Sequence, residues 1–251
     1  MKWFVKEGSI VRKIWGNADT ILFIFAGASA EFALNKSVDW LYYTGRLPAD
    51  PLGRLFSTVS YARQIVFSEE NVALKAIEQI SAIHKGVEGK RGARIPDSAY
   101  RDVLFMLVDY SIRSFELLER NMTDDEKADV FEVFGRVGAG MGIPGLPSNY
   151  PEWEVMRQAH LSENLIKSNF SVDLYQQYRM HLGQGRYLLL KEVQTRIVPQ
   201  KVKKLLSLRN WSLLVAILPV YKLMRVFGMH RIMRNLILPG AYVSQIVALD
   251  T

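Results

Sequence analysis

The stretch Ile21-Leu22-Phe23-Ile24-Phe25-Ala26-Gly27-Ala28 decides the fold. It is apolar on every side, so it must be buried, and Asn17 or Asp19 before it is suited to cap a helix running to Asn35. The apolar run falls short of the roughly 20 residues that span a bilayer, which makes it a core helix. A second run of the same kind, Val103-Leu104-Phe105-Met106-Leu107-Val108, follows Asp97, a natural N-cap, and predicts a second central helix. Elsewhere apolar residues recur at helical spacing, and no strict alternation is bounded by hairpin turn signals.

Local signals place the remaining helices. Asp50-Pro51 is an N-cap followed by proline at the first helical position and starts a helix that runs to about Phe67. Ser68-Glu69-Glu70 puts acids at the positive end of the next helix, which continues to about Val87, where Gly86, Gly89 and Gly92 are expected to end it. Thr123-Asp124-Asp125-Glu126 has the spacing of a capping box and predicts a helix over 124–137, stopped by Gly138. Further helices are expected over 151–168, 172–195, 199–208, 212–227 and 229–237. The fold class is therefore all-α: one multi-helix globular domain around two buried central helices. No composition shift breaks the chain before about residue 196, so 1–195 is expected to form the main helical domain. Residues 196–251 form a basic, amphipathic C-terminal subregion packed on it.

Composition removes whole classes of function. With 251 residues and 49% hydrophobic content the chain has ample material for a core, and general disorder is excluded. The absence of cysteine excludes disulfide scaffolds, thiolate metal sites, thiol nucleophiles and iron–sulfur clusters. The histidines, His84, His160, His181 and His230, show no metal-motif spacing, and no serine has a nucleophile-elbow context. The glycine-rich stretch from Gly138 to Pro147 follows a helix and not a strand, which argues against a dinucleotide loop. The chain start meets charge before any apolar run, so it does not read as a secretory signal, and the expected location is cytoplasmic.

The net charge of +7 is unevenly spread. From Val193 to Leu249 there is no acid, while Arg196, Lys201, Lys203, Lys204, Arg209, Lys222, Arg225, Arg231 and Arg234 supply positive charge between many aliphatic residues. That aliphatic density suits an anionic membrane surface better than nucleic acid, which is not an expected partner. The other reading is a core-facing helix pair with lysine and arginine stems along its rim. The longest uncharged stretch here, Asn210 to Tyr221, contains Pro219 and is too short to span a bilayer.

Several residues are candidates for chemistry. On the helix after Ser68, Ala73, Ala76, Ile77, Ile80, Ile83, His84 and Val87 share one face, so His84 is expected to project from an apolar stripe into the core. It could be a hydrogen-bonded core histidine or a ligand. Arg54 and Thr58, four apart, with Tyr61 and Ile65 continuing their face, can contact a carboxylate, a phosphate or an iron-bound oxygen species, or can be a capping or surface pair. Asp109 in its apolar turn reads either as an i,i+4 ion pair with Arg113 or as an acid acting behind a site, and Glu31 is a second isolated acid. His160 and His181, among charged neighbours, read as surface residues.

Taken together, Asp50-Pro51-Leu52-Gly53-Arg54-Leu55-Phe56-Ser57-Thr58, Ile83-His84-Lys85-Gly86-Val87-Glu88-Gly89 and the Gly142-Ile143-Pro144 turn resemble a known family. It groups bacterial rubber oxygenases (latex-clearing proteins) with the endoplasmic-reticulum oxygenase of mycophenolic acid biosynthesis. The resemblance covers about residues 17–160. It implies haem b as cofactor, His84 as the iron ligand, and Arg54 and Thr58 as residues of the haem environment with catalytic roles. Ser57 stands where the rubber oxygenases carry a lysine. The function implied is a haem b-dependent oxygenase using O2 or peroxide on a small apolar or lipid-like substrate, at or near the cytoplasmic membrane face. The alternative is a non-catalytic protein that binds a hydrophobic ligand or a partner on the same helical scaffold.

Overall fold

A computed structural model describes residues 2–43, 45 and 49–226, apart from the side chains of Leu41, Leu52, Arg54, Leu55, Phe56, Met224, Arg225 and Val226. Among the described residues the protein is all helical, with no strand beyond two isolated bridges, Trp3 to Glu69 and Asn35 to Leu165. The expected helix over 229–237, and His230 within it, lie outside the described residues.

The first helices are α1 (Ile10–Trp15), α2 (Ala18–Phe32), α3 (Asp39–Tyr43), α4 (Pro51–Phe67) and α5 (Glu70–Arg91). They are followed by α6 (Asp97–Leu118), α7 (Asp124–Gly140) and α8 (Tyr150–Glu163), and then by α9 (Asn169–Ile197), α10 (Gln200–Leu205) and α11 (Leu214–Val226). Several ends follow from side chains that occupy orphan amides. Asn17 accepts from the Thr20 amide, Asp50 from the Gly53 amide with Pro51 at the first position, and Thr123 and Glu126 close the expected capping box. Several ends differ from expectation: α2 stops at Phe32 and α8 at Glu163, and α6 begins at Asp97 itself, after Pro96 and with no side-chain cap. Helix α5 runs through Gly86 and Gly89 and ends only at Gly92, whose φ of 69° supplies the left-handed cap. Helix α7 likewise passes Gly138 and reaches Gly140, because a glycine lowers helix stability by only about 1 kcal/mol and packing outweighs that. Neither α1 nor α3 was legible as a helix; both are short.

The two central helices are α2 and α6, and they are the most extensively packed pair in the molecule. Their close approach depends on Gly27: a Cβ there would lie 2.3 Å from the ring of Tyr110, which is fully buried. Gly27→Ala is therefore expected to destabilise the fold by about 1–3 kcal/mol through overpacking, measured by urea unfolding. An unchanged midpoint would mean that the two helices slide apart at no cost.

The apolar character of α2 on every side has two separate causes. One side packs against α6 and α1, with Ile21, Ile24 and Ala30 buried. The other, carrying Leu22, Phe23 and Ala28, is only half-buried and lines a large cavity. Helix α6 is built similarly, since Val103 and Leu107, the least buried of its apolar run, also line that cavity. The far wall is α9, which bends at Gly183 (φ 73°, ψ 167°) so that residues on both of its arms reach the cavity. Helix α11 closes the enclosure, its Leu214 and Leu218 joining the main core.

Candidate functional site

The cavity has a volume of about 520 Å³ and is bounded by α2, α4, α5, α6, α7, α9 and α11. That volume lies within the roughly 300–1,000 Å³ typical of small-molecule and cofactor sites. Aliphatic and aromatic side chains form almost all of the wall, because each surrounding helix turns an apolar stripe toward it.

Polar groups enter at few points. His84 reaches the cavity from α5, and its ring meets that of Tyr100 edge-on at 5.2 Å between centroids. Burial pushes the Tyr100 hydroxyl up to about 12, reinforced by the carboxylate of Glu88, so it stays protonated at neutral pH. From α4 come Ser57, Thr58 and Tyr61, and from α9 comes Arg186. Asp19 and Tyr221 also face the cavity, joined by a hydrogen bond from the Tyr221 hydroxyl to the Asp19 carboxylate.

The structure thus brings His84 and Thr58 to one apolar chamber from separate helices. It modifies the expected setting of His84, which is half-buried on a cavity wall and not packed into the solid core. The stripe that carries it is buried only at Ala73, Ala76 and Ile77; Ile80 is half-buried and Ile83 exposed, both at the cavity. Arg54 lies on α4 one turn before Thr58, with its side chain outside the described ones. Arg186 and Tyr100 were not anticipated. The signal for Arg186 was an isolated cation just ahead of Leu188-Leu189-Leu190; no local signal marked Tyr100.

Asp109 and Glu31 do not line the cavity. They belong to a buried cluster between α2, α6 and α8. Arg157 of α8, 2% exposed, donates to both oxygens of Glu31, with Nη2 at 2.7 Å, and to Asp109 through Nε at 3.0 Å and Nη2 at 2.8 Å. Asp109 also makes the expected i,i+4 pair, accepting from Arg113 Nε at 2.6 Å. The Tyr110 hydroxyl donates to Glu31 at 2.9 Å. His160 stands between two acids, with Nε2 2.9 Å from Glu31 and Nδ1 in close charge contact, 2.6 Å, with Asp102. Asn35 and Asn164 donate to the remaining capacity of Asp102.

This corrects the surface reading of His160, which is 4% exposed, while His181 is exposed as expected. Of the charged residues near His160 in sequence, Glu152, Glu154 and Glu163 are exposed, whereas Arg157 shares the buried face of α8 with Trp153, His160 and Leu161. That spacing of four, three and one was the missed signal.

The cluster sets two opposed pH dependences. Burial acts to raise the Glu31 carboxyl, but the Arg157 guanidinium and His160 outweigh it and hold it at about 2, against an ordinary 4.5. Its contribution to stability is full above 4.5 and is lost as pH falls toward 2. Burial alone would lower His160, yet hydrogen bonds and charge from Asp102 and Glu31 raise it above its ordinary 6.5. That contribution is full below 6.5 and is lost as pH climbs through the raised value. The urea midpoint is expected to decline on both sides of a maximum, and His160→Gln to flatten the alkaline decline. An alkaline limb identical in the variant would show that His160 does not carry it.

Among the described residues, no group of three or more histidines and acids could hold a bare metal ion, and no helix is long and apolar enough to cross a membrane. The sequence model described as ER-bound oxygenase mpaB/B'/Rubber oxygenase, catalytic domain, matches residues 15–230. No curated protein and no solved structure matches the chain.

Proposed function

The chain belongs to the mpaB/rubber oxygenase family and carries that family's oxygenase-type catalytic domain over residues 15–230, and on that basis we propose that it is a haem b-dependent oxygenase of apolar or lipid-like substrates, using O2 or peroxide. The observation that carries the reading is the placement of His84 on the wall of an apolar cavity of about 520 Å³, which Thr58 also lines.

The residues present fit the group. A haem needs a broad apolar chamber, one neutral imidazole and a few cations or hydroxyls at its polar edge. His84 would be the iron ligand, Arg186 would hold a propionate, and Ser57 is a small side chain on the same wall as Thr58, while the family resemblance adds Arg54, one turn before Thr58 on α4, to the haem environment. When bound, the haem iron supplies the activation of O2 or peroxide that no side chain here can perform.

The protein's own work is positioning. The edge-on ring of Tyr100 packs against the His84 imidazole and limits its rotation. The Thr58 hydroxyl can donate or pass on a proton within a chamber that otherwise offers few polar groups. Leu22, Phe23, Ile80 and Leu190 exclude water from the substrate and favour an apolar one by burial. Asp109 is assigned no part at the cavity; its carboxylate is engaged by two arginines.

The test is an absorption spectrum of protein purified from cells supplied with a haem precursor, with iron counted per chain. A Soret band and about one iron per chain support the reading. A colourless, folded protein after supplementation overturns it and leaves the hydrophobic-ligand carrier as the function of the cavity.

A further inference from the structure

Helix α11 is apolar on two faces. Its inward face, Leu214, Leu218 and Tyr221, is packed on the core and the cavity. Its start is pinned to α9, where the Glu192 carboxylate accepts from the Ser212 hydroxyl and the Leu213 amide, both at 2.8 Å. Its far end is tied by the Tyr221 hydrogen bond to Asp19 and by Lys222 Nζ, 3.3 Å from the Glu119 carbonyl. The orientation of the helix is thereby fixed.

Among the described residues the outward face has no such partners. Leu213, Val215, Ile217, Val220 and Leu223 are 54%, 57%, 43%, 55% and 60% exposed, and Trp211 just before them is 58% exposed. No charge interrupts them between Asn210 and Tyr221. A contiguous exposed apolar surface of this kind marks an interaction site, since single exposed residues are ordinary but a helix-long patch is not.

Charge identifies the occupant. The chain around this face carries no acid from Val193 to Leu249, and Lys201, Lys204 and Arg209 are exposed ahead of it. The acid nearest in sequence, Glu192, is already engaged by Arg209 as well as by Ser212 and Leu213. An apolar face whose flanking sequence carries cations and no acid, with a tryptophan at its border under the Arg209 guanidinium, is the composition that seats at the headgroup boundary of an anionic bilayer. Helix α11, at 13 residues, is long enough to lie in that boundary and too short to cross it.

We propose that the outward face of α11, with Trp211 at its start, docks the protein on anionic lipid bilayers. The same helix walls the cavity, and Ile217 belongs both to the exposed face and to the cavity lining. Docking brings the cavity wall to the acyl layer, so an apolar ligand can reach it without crossing water. The docking does not depend on the haem reading and is measured without cofactor.

The experiment is vesicle flotation of the full chain with phosphatidylcholine alone and with phosphatidylcholine containing phosphatidylserine. Flotation with the anionic vesicles, weakened by salt, is expected, together with a blue shift of Trp211 emission taken as the difference from Trp211→Phe. Combined Leu213→Ser, Val220→Ser and Leu223→Ser is expected to weaken partitioning at least about tenfold, from the apolar area withheld. Absence of wild-type flotation, or flotation without any change at Trp211, overturns the proposal. So does a triple variant that binds vesicles normally but converts a wild-type dimer to a monomer in light scattering, which would assign the face to a second copy of the chain.

Discussion

Arg157→Met is expected to lower the free energy of unfolding by about 3–5 kcal/mol, a large share of the roughly 5–15 kcal/mol by which domains are stable. Methionine matches the stem and brings no charge, so the loss measures what the guanidinium compensates. Glu31, fully buried, would keep only Tyr110 and His160, and Asp109 only Arg113. Glu31 would then lose its largest source of depression, and burial would drive its carboxyl upward. Acidification should therefore narrow the gap between the two proteins, because the wild type loses the Glu31 contribution as pH falls from 4.5 toward 2 while protonation of the raised carboxyl relieves the variant of a buried charge. Glu31→Gln in the Arg157→Met background should recover part of the loss, and the coupling between the two follows from a double-mutant cycle by urea unfolding. A loss for Arg157→Met below about 1 kcal/mol would mean that water reaches these groups.

His84→Ala is expected to weaken haem affinity by more than about 100-fold, because even the partners behind a metal ligand contribute 10–100-fold and the ligand itself contributes more. The haem-free variant should unfold within about 1 kcal/mol of the haem-free wild type, since the side chain lines a cavity and is not part of the packed core. Imidazole added to the buffer can enter the space vacated and should restore a Soret band. These readouts separate a ligand from a structural histidine: loss of colour with the fold intact and rescue by imidazole assign ligation. Unchanged haem content removes His84 from the iron.

The helical class was legible because it rests on local signals. Thr123 with Glu126, Asp50 with Pro51 and the two all-apolar runs each act within a few residues, and each holds in the structure. Face and partner were harder to read. An apolar run can be enclosed by neighbouring helices or can border a cavity, and α2 does both, which explains why Phe23 and Ala28 are less buried than Ile24. His160 was misread because its near neighbours in sequence are charged, whereas its partner Glu31 lies 129 positions away. A buried carboxylate such as Glu31 on α2 requires a compensating cation. Which cation answers it is a property of the packing of α8 on α2 and α6, not of any local pattern.

The buried cluster also restricts how the sequence can change. Three carboxylates, Glu31, Asp102 and Asp109, face Arg113, Arg157 and His160, and with the imidazole protonated the three acids and three cations cancel as a set in which Arg157 and His160 each serve two acids. Replacing all the members by apolar residues of similar volume can be neutral or favourable, whereas removing one strands its partners. A lineage leaving this arrangement one substitution at a time must therefore pass through intermediates several kcal/mol less stable than either end. The cluster acts as a ratchet: once assembled, it is held in place by the cost of its own partial dismantling.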